Sequence, residues 1–160
     1  MYDLLIRNGT VVDGTGVDRF VADVAIANGK IAAIGALASA EATDTIDATG
    51  CIVIPGFVDV HTHYDGQVTW DEVLEPSASH GVTTIVTGNC GVGFAPVRPG
   101  SEDWLIELME SVEDIPGAAL SEGIDWGWES FGGYLDALDR QERAIDIGSQ
   151  VPHCAVRAFV

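Results

Sequence analysis

The sequence predicts an α/β fold in which a small sheet is followed by a parallel sheet covered by helices. Two observations predict it. Short alternating apolar stretches with turn signals fill the first fifty residues, a pattern typical of an antiparallel sheet or sandwich. Continuous β-branched runs then alternate with amphipathic stretches, a pattern typical of strands buried on both faces. We therefore expect two parts, residues 1–54 and residues 55–160.

Three stretches supply the predicted strands of the first part. The first is DLLIRNGTVVD, an apolar run in which Asn8-Gly9 signals a turn. The second is FVADVAIANGKIAAIG, which places Val21, Ala25 and Ala27 on one face and has Asn28-Gly29 as a tight hairpin turn. The third is TDTIDATG, which alternates polar and apolar residues. These strands are too few to close a sandwich, so we expect partner strands elsewhere in the protein.

The second part alternates strands and helices. Buried strands are predicted for CIVIPGFVDVHTH and VTTIVTGN, and a short helical region broken at Pro76 is predicted between them. Apolar stripes with helical spacing in SEDWLIELMESV and WESFGGYLDALDR predict two helices that pack on the core. A third buried strand is predicted for SQVPHCAVRAFV. Because nothing after Val160 covers it, we expect the chain to be the N-terminal part of a longer protein.

Charge and cysteine content argue against several functions. The 160 residues carry 25 acidic and 7 basic side chains, for a formal net charge of −18. Such a surface repels phosphate backbones and anionic membranes, so we expect neither nucleic-acid nor membrane binding. The stretch MYDLLIRNGTVV lacks a signal-peptide pattern, and the three cysteines then favour free thiols and a cytoplasmic location. The oligomeric state stays open.

Two of the four histidines follow the first buried strand. Side chains two apart on a strand point the same way, so His61 and His63 are expected to project together, roughly 6–7 Å apart at Cα. Ligands of α/β sheets bind at the carboxyl ends of the strands. The pair therefore predicts a metal site, and Asp65 is expected either to support a histidine or to occupy a turn.

The second constellation is TGNCGVG, at the end of the next strand. Cys90 lies there among glycines that allow tight backbone conformations, and a thiolate is a good zinc ligand. We interpret Cys90 as a third ligand, although a free cysteine can also be a small buried hydrophobe. The glycine order does not match the dinucleotide-binding fingerprint.

The remaining candidates are weaker. Asn89 and His153 are possible supporting residues around the ligands, and His153 could equally be a core histidine. His80 precedes a glycine and is expected to complement a helix end. Cys51 and Cys154 are expected in the core. Arg157 is expected in a buried strand, where it would need an anionic partner.

These motifs resemble a known family. The segments PGFVDVHTHYD and HGVTTIVTGNCGVGFAPVRP closely resemble the amidohydrolase superfamily and, within it, the N-acyl-D-amino-acid deacylases, or D-aminoacylases. The segments DLLIRNGTVVDGTG, ANGKIAAIG, WESFGGYLDAL and VPHCAVR also resemble the family, so the likeness covers essentially the whole chain. The cysteine of GNCG is its more specific mark.

The resemblance implies a fold and an activity. The fold would be the N-terminal part of a (β/α)8 TIM-like barrel, preceded by strands of a small β-sandwich built from both ends of the chain. The activity would be zinc-dependent hydrolysis of the amide of N-acyl-D-amino acids to a carboxylate and a free D-amino acid, with one or two zinc ions.

The resemblance also implies roles for individual residues. His61 and His63 match the family's histidine pair, and Cys90 matches the cysteine that stands where many amidohydrolases use a carboxylated lysine. The other ligands and the general base are expected beyond Val160. No catalytic residue is therefore assigned in this chain, which we expect to be inactive alone.

Three other functions stay open. One is a different amidohydrolase reaction on cyclic amides, of the hydantoinase or dihydroorotase type. Another is a cysteine hydrolase in which Cys90 is the nucleophile and a histidine the base. The third is a non-catalytic zinc-binding domain, although the close cysteine spacing of structural zinc sites is absent from the sequence.

Overall fold

A computed structural model describes residues 1–113 and 115–160. The chain divides into two compact units, Met1–Pro55 and Gly56–Val160. The strands are β1 (Tyr2–Val11), β2 (Phe20–Ala27), β3 (Lys30–Gly35), β4 (Ala42–Asp47), β5 (Ile52–Val53), β6 (Phe57–Asp59), β7 (Val82–Thr87) and β8 (Asp146–Ser149). The helices are α1 (Glu102–Glu113), α2 (Gly117–Gly123), α3 (Phe131–Leu138) and α4 (His153–Phe159). Among the described residues, no helix combines the length and apolarity needed to cross a membrane.

The first unit is a mixed sheet with strand order β3-β2-β1-β4. β1, β2 and β3 pair antiparallel, with Asn28-Gly29 forming the predicted hairpin turn between β2 and β3. The expectation of an antiparallel sheet is wrong for β4, which pairs parallel with β1, as does the short β5. β3 at one edge and β4 at the other run in the same direction as β1, so the connection between them crosses over the sheet.

Asn8-Gly9 is a bulge inside β1, so the predicted turn there is wrong. Asn8 takes φ 61°, and the register with β2 shifts between Ile6 and Gly9. The Asn8 backbone N–H donates to the Asp23 carboxylate at 2.9 Å, which satisfies the residue that leaves the ladder. A Cβ on Gly9 would lie 2.4 Å from the Val53 side chain.

The second unit is built on a parallel sheet with order β6-β7-β8. The first two predicted strands are present and adjacent. The burial of β6 on both faces is not observed, since Phe57 and Val58 are 55% and 59% exposed. β6 is an edge strand here, and no described element covers that apolar surface.

The predicted third strand at 151–158 is wrong. The strand is β8, which lies a few residues earlier and pairs parallel with β7, and the predicted stretch is helix α4. Pro152 precedes the first helical residue, a position where its fixed φ suits a helix start. The stretch after it mixes alanine and valine without a period of two, so an apolar run alone could not separate helix from strand.

Helices α1 and α3 are present as predicted. Leu105 and Met109 of α1 are buried, whereas Trp104 is 47% exposed, so the buried stripe is narrower than expected. Tyr134 and Leu138 of α3 pack in a second cluster with Ile85 of β7. The helical region predicted around Pro76 is two short 3₁₀ helices, Gln67–Thr69 and Ala78–His80.

Candidate metal centre

Three side chains with metal-binding atoms converge past the ends of β6 and β7. One ligand atom from each of His61, His63 and Cys90 lies within 4.8 Å of the other two. The histidine ring centroids are 5.3 Å apart, and Cys90 Sγ lies 3.7 Å from His63 Nδ1. His61 and Cys90 are exposed and His63 is half-buried, so the cluster is open on one side.

The histidines are placed by the residue between them. Both lie beyond the end of β6, yet Thr62 still bonds to β7: its backbone N–H and its hydroxyl donate to the Val86 carbonyl at 3.0 and 3.1 Å. This bond extends the strand-like alternation past Asp59. Thr62 is buried, and the two histidines project from the opposite side as the spacing predicted.

Cys90 is held in a tight turn after β7. Gly88 and Gly91 have φ of 78° and 90°, and the Gly91 N–H donates to the Gly88 carbonyl at 3.0 Å. A Cβ on Gly88 would lie 2.3 Å from the Gln150 carbonyl oxygen. The Asn89 side-chain amide donates to the Val60 carbonyl at 3.3 Å, which ties this turn to the residue before His61.

The sulfur of Cys90 has a backbone donor. The Val92 N–H lies 3.4 Å from Sγ, within hydrogen-bonding reach of a sulfur acceptor. This bond holds the sulfur on the side of the turn that faces His63. The turn therefore presents the reactive atom of Cys90 toward the histidines with a partner already in place.

The donor set and its spacing fit zinc. Zinc binds cysteine sulfur at about 2.3 Å and histidine nitrogen at about 2.0–2.1 Å in a tetrahedron, so two ligand atoms of one ion lie roughly 3.3–3.8 Å apart. The 3.7 Å between Cys90 Sγ and His63 Nδ1 falls in that range. Two imidazoles and a thiolate are ligand types that zinc binds in proteins.

Comparison with known proteins identifies the family. The family model described as "Amidohydrolase family" matches residues 44–159. The chain belongs to this family. The D-aminoacylase of Alcaligenes xylosoxydans xylosoxydans is 36% identical over 159 residues, which cover 99% of this chain and 31% of that protein.

Solved amidohydrolase structures show the same fold. A D-aminoacylase crystal structure superimposes with a TM-score of 0.81 at 36% identity, covering 100% of this chain and 31% of that one. The N-acyl-D-glutamate deacylase of Bordetella bronchiseptica, complexed with zinc and a phosphonate inhibitor, has a TM-score of 0.73 at 36% identity, covering 98% and 30%. The chain thus spans about a third of the length of these relatives and contains the N-terminal part of their TIM barrel.

Asp65 and His153 take different positions in this amidohydrolase chain. Asp65 is buried, whereas His153 is exposed at the first residue of α4. A Cβ on Gly91 would lie 3.6 Å from the His153 Cβ, so His153 is adjacent to the cysteine turn without joining the ligand cluster. The expectation of His153 inside a core strand is wrong because that segment is helical.

The other weak candidates lie apart from the ligands. His80 ends a 3₁₀ helix before Gly81, as predicted. Cys51 is exposed, so its predicted core position is wrong, and Cys154 is half-buried; all three cysteines are free. Arg157 is exposed on α4, and it therefore does not need the buried anionic partner that a strand position would require.

Tyr134 is a contributor to the site that the sequence did not reveal. Its spacing predicted only core packing, but its hydroxyl donates to the Asp65 carbonyl at 2.9 Å. Burial, together with the negative charge of Asp65, raises the pKa of Tyr134 far above its ordinary value of 10.0, so the phenol stays a neutral donor. An apolar stripe on a helix gives no signal for such a hydrogen bond.

Proposed function

We propose that this chain supplies the first part of a zinc-dependent amidohydrolase that cleaves N-acyl-D-amino acids to a carboxylate and a free D-amino acid. The observation that carries the proposal is the convergence of His61, His63 and Cys90 past two adjacent parallel strands. The proposal is also supported by relatives, because nearly the whole chain is similar to proteins named D-aminoacylase and N-acyl-D-glutamate deacylase.

The three side chains are the proposed zinc ligands. Bound zinc polarises a carbonyl and lowers the pKa of water to roughly 7. Neutral imidazoles and a thiolate leave much of the ion's positive charge uncompensated, which suits that chemistry. One solved D-aminoacylase has a binuclear centre with activation by one metal and attenuation by the second, so we propose one or two ions.

Residues next to the proposed ligands hold these ligands in position. Thr62 keeps the histidines on the open side, the Val92 N–H donates to the Cys90 sulfur, and Asn89 joins the two ligand-bearing segments. None of these residues is placed to move a proton to the departing amine. We therefore propose that the general base and the remaining ligands lie outside these 160 residues, and that the chain is inactive alone.

A second reaction, on cyclic amides, has one observation in its favour. A D-hydantoinase of Geobacillus stearothermophilus is 40% identical to 88% of this chain. Its likeness covers less of the chain than that of the deacylases, so we place linear N-acyl-D-amino acids first.

A cytoplasmic location is proposed from the free cysteines alone. A non-catalytic zinc domain is disfavoured because the sequence lacks the close cysteine spacing of structural zinc sites.

The proposed function is tested by substrate choice. The full-length protein that carries this chain, loaded with zinc, is expected to release D-amino acid from N-acetyl-D-amino acids and to leave the L-enantiomers largely intact. Chelation should abolish turnover, whereas a cysteine hydrolase would stay active. The measurement is chiral chromatography of the products, with hydantoins as parallel substrates. Turnover of L-substrates or hydantoins alone would contradict the assignment.

A further inference from the structure

Asp65 is a charged side chain in an unusual place. It is 2% exposed, and it carries the one charge among the buried side chains of the described residues. Burying a carboxylate costs several kcal/mol unless polar or charged groups compensate it. Asp65 comes only two residues after His63.

The carboxylate lies where three segments meet. A Cβ on Gly93 would lie 2.9 Å from Asp65 Oδ1 and 2.9 Å from Pro152 Cγ. Gly93 follows Cys90 by three residues, and Pro152 precedes α4. Asp65 therefore fills the space between the histidine segment, the cysteine turn and the segment after β8, and the missing side chain at Gly93 lets it do so.

One hydroxyl contact ties the backbone of Asp65 to α3, and another joins β7 to β8. Tyr134 of α3 donates its O–H to the Asp65 carbonyl at 2.9 Å, and Tyr134 is itself 2% exposed. Thr87, the last residue of β7, is fully buried and donates its hydroxyl to the Ser149 hydroxyl at 2.9 Å. The backbone of Asp65 is thus tied to α3 through the Tyr134 hydroxyl.

We propose that Asp65 is a positioning residue for the metal centre. Its carboxylate holds the segment bearing His63 at a fixed distance from the turn bearing Cys90, and its negative charge favours a cation at the three ligands. It acts through the ligands and does not touch the substrate. The inference rests on the metal centre of the proposed function and is independent of which amide is cleaved.

The test is zinc affinity of the full-length protein with Asp65→Asn, which keeps the shape and removes the charge. Loss of a carboxylate that supports metal ligands costs about 10–100-fold in metal affinity, and that loss is expected here. The matched control is Asp71→Asn, the same change at a carboxylate that bonds Gln67 and the backbone of Leu74 in the same unit. Its zinc affinity is expected to stay wild-type.

A second readout separates positioning from stability. Cobalt replaces zinc, and its thiolate-to-metal absorption reports whether Cys90 binds the ion. Asp65→Asn is expected to shift or weaken that band, and Asp71→Asn to preserve it. If Asp65→Asn does not fold, zinc affinity and the cobalt spectrum are measured on Tyr134→Phe instead. This variant removes only the hydroxyl that donates to the Asp65 carbonyl. Wild-type affinity and spectrum in the folded variant would overturn the inference.

The two proposals fail separately. A wild-type protein that binds zinc but leaves N-acyl-D-amino acids intact would contradict the proposed reaction and not the role of Asp65. Unchanged zinc binding in Asp65→Asn, with normal D-amino-acid release by the wild type, would contradict the role of Asp65 and not the reaction.

Discussion

At the scale of single residues, the metal centre depends on backbone bonds that lie beside the ligands. The histidine pair lies beyond the end of β6, and it converges because Thr62 is bonded to Val86 of the neighbouring strand. Cys90 faces the histidines because its turn is built from residues with positive φ. The convergence of His61, His63 and Cys90 could be predicted from their types and spacing, but these supporting bonds could not.

The contrast between two Asn-Gly pairs shows why local signals fall short. Both Asn8 and Asn28 take positive φ, at 61° and 53°. The second pair reverses the chain as a hairpin turn, whereas the first continues the strand as a bulge, where the Asp23 carboxylate accepts the Asn8 N–H. The Asn28 N–H also donates to a distant carboxylate, that of Asp3, at 2.6 Å, so neither the dipeptide nor this hydrogen bond distinguishes the two outcomes; the pairing of the flanking strands does.

Gly88 gives a residue-scale prediction. Gly88→Ala is expected to lower the free energy of unfolding by about 1–3 kcal/mol more than Gly100→Ala, because its Cβ would overlap the Gln150 carbonyl at 2.3 Å. Gly100 is the matched control, since its φ of 86° imposes the same backbone strain with nothing within 4 Å. Chemical denaturation of both variants measures the difference, and equal losses would show that the close contact is absent.

At the scale of elements, the parallel order of β6 and β7 brings the ligands together. Their carboxyl ends point the same way, so the residues after each strand meet at one edge of the sheet. This juxtaposition was predictable from two buried runs with polar ends. The third segment was not, because α4 and a buried strand present the same apolar run in the sequence.

The connection after His63 gives a prediction about pH. The Gln67 side-chain amide, with the backbone of Leu74 and Val73, donates to Asp71 and lowers the pKa of its carboxyl from 3.8. A lowered folded-state pKa means that the ionised carboxylate stabilises the fold above pH 3.8 and that this contribution is lost as the pH falls through the lower folded value. Asp71→Asn should remove this part of the pH dependence of the free energy of unfolding.

The measurement is the free energy of unfolding of wild type and Asp71→Asn between neutral pH and acid. The difference between the two proteins is expected to shrink as the pH falls below about 4, the ordinary range of an aspartate. A difference that stays constant across that range would mean that Asp71 is not held ionised by these bonds.

At the scale of the whole molecule, the chain belongs to the amidohydrolase family and spans about a third of its relatives' length. Its second unit contains three parallel strands, and the apolar surface of β6 is uncovered by described residues. These features agree with the N-terminal part of a TIM barrel. The substrate is a proposal because the chain spans only about a third of these relatives.

The central claim is that His61, His63 and Cys90 hold zinc, and anomalous X-ray scattering tests it most directly. Crystals of the full-length protein grown with zinc are measured above and below the zinc absorption edge. We expect an anomalous peak about 2.3 Å from Cys90 Sγ and, at saturating zinc, density about 2.0–2.1 Å from nitrogens of His61 and His63. Cys90→Ala should lose this zinc peak. A zinc-saturated crystal with no peak at bonding distance from these three side chains would contradict the account.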